Sequence, residues 1–197
     1  MSIAKVLELR VSGDGAAEAQ PVLFERLLRP HFARLYRLAL HFTKSVPDAE
    51  DLLQDVLVSL YERREKLAGI ADLRSWLARV VHNRFVDQRR SSLRRRLTAS
   101  FRPTATQNEE SILELIPSEE LGPEEVAVLA GQLSQLDGAL RHLNDEQRIV
   151  VLLHDVEGFS LEEVEQITGV PVGTVKSRLH RGRAKLRLLL GQGTFFT

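Results

Sequence analysis

Apolar positions recur at three- and four-residue spacing along most of the chain, the signature of helices with one buried face. Phe24, Leu27, Leu28, Phe32, Leu35, Leu38 and Ala39 form a first stripe. The stretch VPDAEDLLQDVLVSLYERREKL opens with Pro47 and Asp48, residues suited to a helix start. Its apolar face is Ala49, Leu52, Leu53, Val56, Leu57 and Leu60. Gly69 interrupts the pattern before a third segment with Leu73, Trp76, Leu77, Val80, Val81 and Phe85, whose spacing predicts Trp76 as a core residue. Residues 99–125 lose the period and gain Pro, Thr, Ser and Glu, which reads as a linker with a short helical fragment from Ile112 to Ile116. Helical signals resume at LGPEEV, where Pro123 suits a first helical position and Glu124 and Glu125 complement the helix dipole. Leu129, Leu133, Leu136, Leu140 and Leu143 follow, and Asn144 or Asp145 is placed to cap a helix carrying Ile149 to Leu153.

The pattern predicts an all-α protein of two small helical domains joined by a flexible acidic linker. The expected boundaries are an extension over 1–20, a first domain over 21–98, the linker over 99–122, a second domain over 123–191 and a tail over 192–197. A hydrophobic share of 43% in 197 residues supports real cores. Cysteine is absent, which excludes disulfides and thiolate metal sites. The first twenty residues have no apolar run fit for a signal peptide, and the longest aliphatic run, Ile149 to Leu153, is far short of a membrane span. The expectation is a cytoplasmic protein without membrane insertion. The formal charge of zero hides an uneven distribution: residues 21–98 carry a net +7 and residues 99–125 a net −6. Such asymmetry points toward nucleic acid.

The stretch EGFSLEEVEQITGVPVGTVKSRLHRGR has the layout of a helix-turn-helix. Ser160 and Glu163 form a capping-box pattern, Gly169 fits a left-handed helix end, and a second helix starts near Thr174. Six basic residues lie between Lys176 and Arg187. On a helical wheel Val175, Leu179, Gly182, Leu186, Leu189 and Leu190 form the core face, while Ser177, His180, Arg181 and Ala184 point outward. Lys176, Arg183 and Arg187 flank one side and Arg178 and Lys185 the other, an arrangement suited to phosphates on both sides of a DNA groove. A solvated basic face is the ordinary alternative for a charge run; the one-signed run and the turn before it favour DNA.

GVPVGTVKSRLHRGRAKL resembles region 4 of the extracytoplasmic-function (ECF) sigma factors of the bacterial sigma-70 family, as does the preceding LNDEQRIVVLLHDVEGFSLEEV. Three positions depart from the family pattern. Glu165 stands where alanine is common, Thr168 where an aliphatic residue is usual, and Gly182 replaces a usual alanine. An exposed glycine there would weaken the helix by roughly 1 kcal/mol. The resemblance implies binding of the promoter −35 element, with Thr174, Lys176, Ser177, Arg178, Arg181 and Arg183 as the residues concerned.

DAEDLLQDVLVSLYERREKL resembles sigma region 2.2, which docks on the β′ clamp helices of RNA polymerase. The resemblance implies a polymerase-binding strip of Asp48, Asp51, Gln54 and Asp55, off the leucine-rich face. DLRSWLARVVHNRFVDQRRSSLRRR resembles regions 2.3 and 2.4, which open and read the −10 element. Arg79, Asn83, Asp87 and Arg90 share one helix face there, and Arg89, Arg94, Arg95 and Arg96 extend the basic surface. The loop from Lys66 to Asp72 sits where the family grips a flipped-out base.

The function these resemblances imply is that of a sigma factor. Its partners would be core RNA polymerase, through the β′ clamp helices and the β flap, promoter DNA, and an anti-sigma factor. The acidic linker would lie inside a basic polymerase channel or act as a plain spacer. No catalytic signature occurs, the six histidines are scattered, and no enzyme activity, metal or cofactor is expected. Two alternatives stand beside this reading: a helix-turn-helix regulator acting on an operator without polymerase, and a sigma-mimicking adaptor that sequesters an anti-sigma factor.

Overall fold

The computed structural model describes residues 19–98, 131 and 134–191. All regular structure among the described residues is helical. The expected linker, its Ile112–Ile116 fragment, the helix start at Pro123 and the tail over 192–197 lie outside them, as do the side chains of Arg94, Arg95 and Arg96. The chain divides into two compact units, with the short segment His41–Val46 grouped with the second.

The first unit begins with α1 (Ala19–Leu28) and α2 (Phe32–Thr43). The single stripe read from the sequence is split between them by a tight 3-10 turn, Arg29–His31. Pro30 within that turn has no N–H for the helical ladder, so the chain kinks there. Phe24, Leu28, Leu35 and Leu38 nonetheless stay buried, whereas Leu27 and Phe32 are half-exposed. Helix α3 (Val46–Glu62) buries all six apolar positions expected of it. A 3-10 segment, Arg64–Gly69, follows and is pinned by Leu67, which is fully buried. Helix α4 (Leu73–Thr98) then runs for 26 residues with Leu77, Val81 and Phe85 turned inward. Trp76 is half-exposed, so it is not the full core residue that its spacing predicts. Around α1, Phe24 meets the edge of the Tyr61 ring at a centroid distance of 5.4 Å, and the Arg64 guanidinium stacks on the same tyrosine.

The second unit contains α5 (134–141), α6 (Asp145–Val151), α7 (Leu161–Thr168) and α8 (Val172–Leu190). Asn144 caps α6, its side-chain oxygen accepting the Gln147 N–H at 2.8 Å. The helix does not stop at Val151 but widens into a π turn over Leu152–Val156, closed by the Glu157 N–H on the Leu152 carbonyl at 2.9 Å. Leu152 and Leu153 remain in the core through that turn. Arg148 is the largest fully buried side chain among the described residues. Its guanidinium donates to the Leu143 carbonyl and to the Asp145 carboxylate. Those partners offset the desolvation of a buried charge.

Helix α8 crosses α6 at a point that admits no side chain. A Cβ on Gly182 would stand 2.9 Å from Cγ2 of Val151 and 3.5 Å from Cβ of Gln147. Gly182 is therefore a buried contact, in line with its place on the core face of the helical wheel. Gly182→Ala gains helix propensity of about 1 kcal/mol but overpacks a rigid core contact, which costs about 1–3 kcal/mol. The expected net result is a lower melting temperature, partly restored in the Val151→Ala/Gly182→Ala double variant; thermal denaturation of the three proteins checks this.

In α4, His82 is 8% exposed, and burial pushes its imidazole below the ordinary value of 6.5. The folded state keeps the ring neutral while the unfolded chain takes up a proton as pH falls through 6.5. His82 thus costs no stability above that pH and destabilises increasingly below it. The melting temperature should drop further between about pH 7.5 and pH 5.5 in the native sequence than in His82→Gln.

Candidate nucleic-acid interface

The first unit presents two polar strips. On α3, Asp48, Asp51 and Gln54 are exposed, opposite the buried leucines. Asp55, expected in the same strip, is held elsewhere. Its Oδ2 accepts from Arg84 Nη2 at 2.7 Å, from Arg84 Nε at 3.1 Å and from Gln88 Nε2 at 3.1 Å. The carboxylate thereby ties α3 to α4. Val58 is 41% exposed and lies four residues after Gln54, extending the strip at its C-terminal end. The sequence reading passed over it, although its absence from the buried stripe was a usable signal.

On α4, Arg79, Asn83, Asp87 and Arg90 are all exposed and share one face, as their spacing predicts. Arg84 and Gln88, on another side of α4, bind Asp55. Arg89 extends the basic surface with its guanidinium 5.9 Å from the Phe85 ring centre. In the loop before α4, Lys66, Ala68, Gly69 and Ala71 are exposed around the buried Leu67. Asp72 is occupied at the helix start, accepting the Ser75 N–H at 3.1 Å. Its hydrogen bonds with Ser75, the side chain first, hold its carboxyl below the usual range. Nearby, burial and the charges of Arg34 and Arg74 push His31 down.

The second unit contains the helix-turn-helix in full. Ser160 Oγ accepts the Glu163 N–H at 3.1 Å and the Glu163 carboxylate accepts the Ser160 N–H at 2.6 Å, a complete capping box. Gly169 ends α7 at φ 70°, a conformation that favours glycine, and donates to the Glu165 carbonyl at 2.7 Å. The two other family departures serve the turn. Thr168 Oγ1 donates to the Val164 carbonyl at 2.7 Å and accepts the Val170 N–H at 3.3 Å. Glu165 Oε1 accepts the Val172 N–H at 3.2 Å. That bond matters because Pro171, at the cap of α8, has no side chain able to cap it. Glu165 thus supplies from α7 a cap, and a favourable negative charge, for the N-terminus of α8.

Helix α8 buries Val175, Leu179, Gly182 and Leu186, but not the whole face read from the wheel. Leu189 is 46% exposed and Leu190 half-exposed, because the helix outruns the core it lies on. Thr174, Lys176, Ser177 and Arg181 are exposed, with His180 and Ala184 beside them. Among the described residues Arg181 donates only within its own helix, to the Ser177 carbonyl at 3.2 Å and more weakly to the Ser177 hydroxyl. Two further candidates carry ion pairs inside the unit. Arg178 meets Glu146 at 2.8 Å, and Arg183 forms a fork on Asp155 with Nε–Oδ2 at 3.0 Å. Lys185 donates to the His142 carbonyl at 2.7 Å. The exposed outward face is thus narrower than the charge count, and no group of three or more His, Asp or Glu is placed to hold a metal among the described residues.

Comparison with known proteins matches both units. Sigma-70 region 2 covers residues 27–96 and Sigma-70, region 4 covers residues 133–186. The ECF RNA polymerase sigma factor SigM of Mycobacterium tuberculosis is 35% identical over 193 residues, which is 96% of this chain and 85% of SigM. SigL of the same organism is 35% identical, over 92% of this chain and 95% of SigL. The ECF sigma factor SigE of Mycolicibacterium smegmatis is 34% identical, and here the match takes in 89% of this chain but 63% of the relative. Among solved structures, the sigma factor RpoE in complex with the anti-sigma factor NepR from Bartonella quintana aligns with a TM-score of 0.63 and 25% identity, over 85% of this chain and 96% of that one. CnrH in complex with the cytosolic domain of CnrY aligns with a TM-score of 0.53, also at 25% identity, over 87% of this chain and 89% of that one. With both sigma regions matched and relatives similar over nearly their whole length, the chain belongs to the ECF RNA polymerase sigma factors of the sigma-70 family.

Proposed function

We propose that the protein directs core RNA polymerase to promoters and opens them, with one unit serving the −10 element and the other the −35 element. The observation that carries this is the pairing of two exposed polar faces, one on α4 and one on α8, with a third, mainly acidic strip on α3. The first two suit nucleic acid and the third suits a protein partner. Asp48, Asp51 and Gln54 dock on the β′ clamp helices, with Val58 at the end of the strip. Asp55 belongs to the same surface as a strut that holds α3 against α4, since its carboxylate is shared by Arg84 and Gln88.

Arg79, Asn83, Asp87 and Arg90 face the −10 element, where an amide and a carboxylate exchange hydrogen bonds with base edges and arginines hold the strand. The loop from Lys66 to Asp72 receives a flipped base. Thr174, Lys176, Ser177, Arg178 and Arg181 face the −35 element. The second unit also meets the β flap. An anti-sigma factor covers the surfaces of both units when the protein is held inactive, in keeping with the anti-sigma factor named in the RpoE complex. The protein acts in the cytoplasm, where polymerase works, and has no catalytic centre of its own.

Reconstitution tests the reading: the protein with core polymerase should yield promoter-specific transcripts, and the free protein little sequence-specific binding. Tight, specific binding of DNA without polymerase would favour a conventional regulator instead. Within the reconstituted system, Arg181→Ala should weaken −35-dependent promoter binding by about 1–3 kcal/mol while leaving polymerase affinity intact.

Asp51→Ala with Gln54→Ala should do the reverse, lowering polymerase affinity by roughly tenfold in a direct binding titration. Equal impairment of both steps by both sets would show that the faces are wrongly assigned.

A further inference from the structure

The π turn at Leu152–Val156 is the irregular element of the second unit, and its effect is seen at Asp155. A π turn fits one extra residue into a helical turn and re-aims the side chains that follow. Here Leu152 and Leu153 stay in the core while the Asp155 carboxylate turns to α8, its side chain only 13% exposed. It receives Arg183 through both Nε and Nη2, a bidentate fork. The pair lies one residue from Gly182, where α8 touches Val151 with no side chain between them. Backbone contact and ion pair therefore fix α8 at the same level along its axis. The Glu146–Arg178 pair cannot share that role equally, because Glu146 is 65% exposed.

We infer that Asp155 and Arg183 form a latch that sets the seating of α8, and that Arg183 is a positioning residue and not a phosphate contact. A phosphate approaching Arg183 would find two of its donors taken and its charge already balanced by a carboxylate. Arg181, two residues earlier, is exposed and, among the described residues, directs its donors to its own helix, so it stays available to DNA. The inference rests on the promoter-binding reading but is tested partly without it.

Full-length Asp155→Asn, Arg183→Gln, the double variant and the reversed pair Asp155→Arg/Arg183→Asp are reconstituted with core polymerase. Promoter binding is then measured from about 50 to 200 mM salt. A latch predicts that each single change weakens binding by about fivefold, with the slope against salt unchanged. The double variant should be no weaker than either single one, and the reversed pair should recover most of the loss. A phosphate contact predicts instead that Arg183→Gln lowers the slope by about 0.9 while Asp155→Asn leaves or tightens binding, and that result overturns the latch. If the reversed pair does not fold, the double variant alone decides between these outcomes. Thermal melting of the free chains needs neither polymerase nor DNA: non-additive effects of the two single changes support the latch, and additive effects overturn it. A native protein that yields no promoter-specific transcript overturns the functional reading and leaves the melting result to judge the latch.

Discussion

The contact of α8 with α6 at Gly182 governs the second unit. A helix that must offer one face to DNA needs its other face seated without slack, and a seat made only of interlocking leucines tolerates small rotations. Backbone approach at Gly182, against a β-branched Val151, leaves much less room. Around that point the unit adds polar ties at different heights: Glu165 at the first turn of α8, Glu146 on Arg178, and Asp155 on Arg183. Each is a carboxylate from an earlier element, so these three acids hold a basic helix in place.

The first unit solves a related problem with longer elements. On the proposed function α3 offers its strip to polymerase and α4 its polar face to nucleic acid, and the two must keep a fixed relation if promoter opening is to be coupled to polymerase. The leucine stripe of α3 supplies most of the adhesion, as the burial of all six of its apolar positions shows. Asp55 adds direction, because a carboxylate shared by Arg84 and Gln88 is satisfied only at one setting of the two helices. Such a partly exposed pair contributes little to stability by itself. Its value lies in geometry.

Much of this was legible in advance because it is local. The face of α3, the shared face of Arg79, Asn83, Asp87 and Arg90, the capping box at Ser160 and the helix end at Gly169 all follow from spacing and from residue chemistry within a few positions. What escaped was non-local. Nothing near Asp55 in the sequence announces Arg84, and nothing near Asp155 announces Arg183. The π turn has no compositional signal, and Arg148 reads as an ordinary surface arginine though it is fully buried. Pro30 did carry a signal for the break between α1 and α2, overridden by an apolar stripe that runs across it.

The three family departures show most clearly how sequence and structure divide the work. By itself the sequence determined that the protein is helical, that it has a helix-turn-helix, and that its basic residues are concentrated on one helix of each unit. Periodicity and capping decide those features within a turn or two of chain. Only the tertiary structure decided that Gly182 is a contact point, that Glu165 caps the neighbouring helix, and that Thr168 braces the turn between them. The reason is physical: whether a glycine weakens a helix or admits a neighbour, and whether a carboxylate faces solvent or an orphan N–H, depends on which atoms lie a few ångströms away, and those come from other helices.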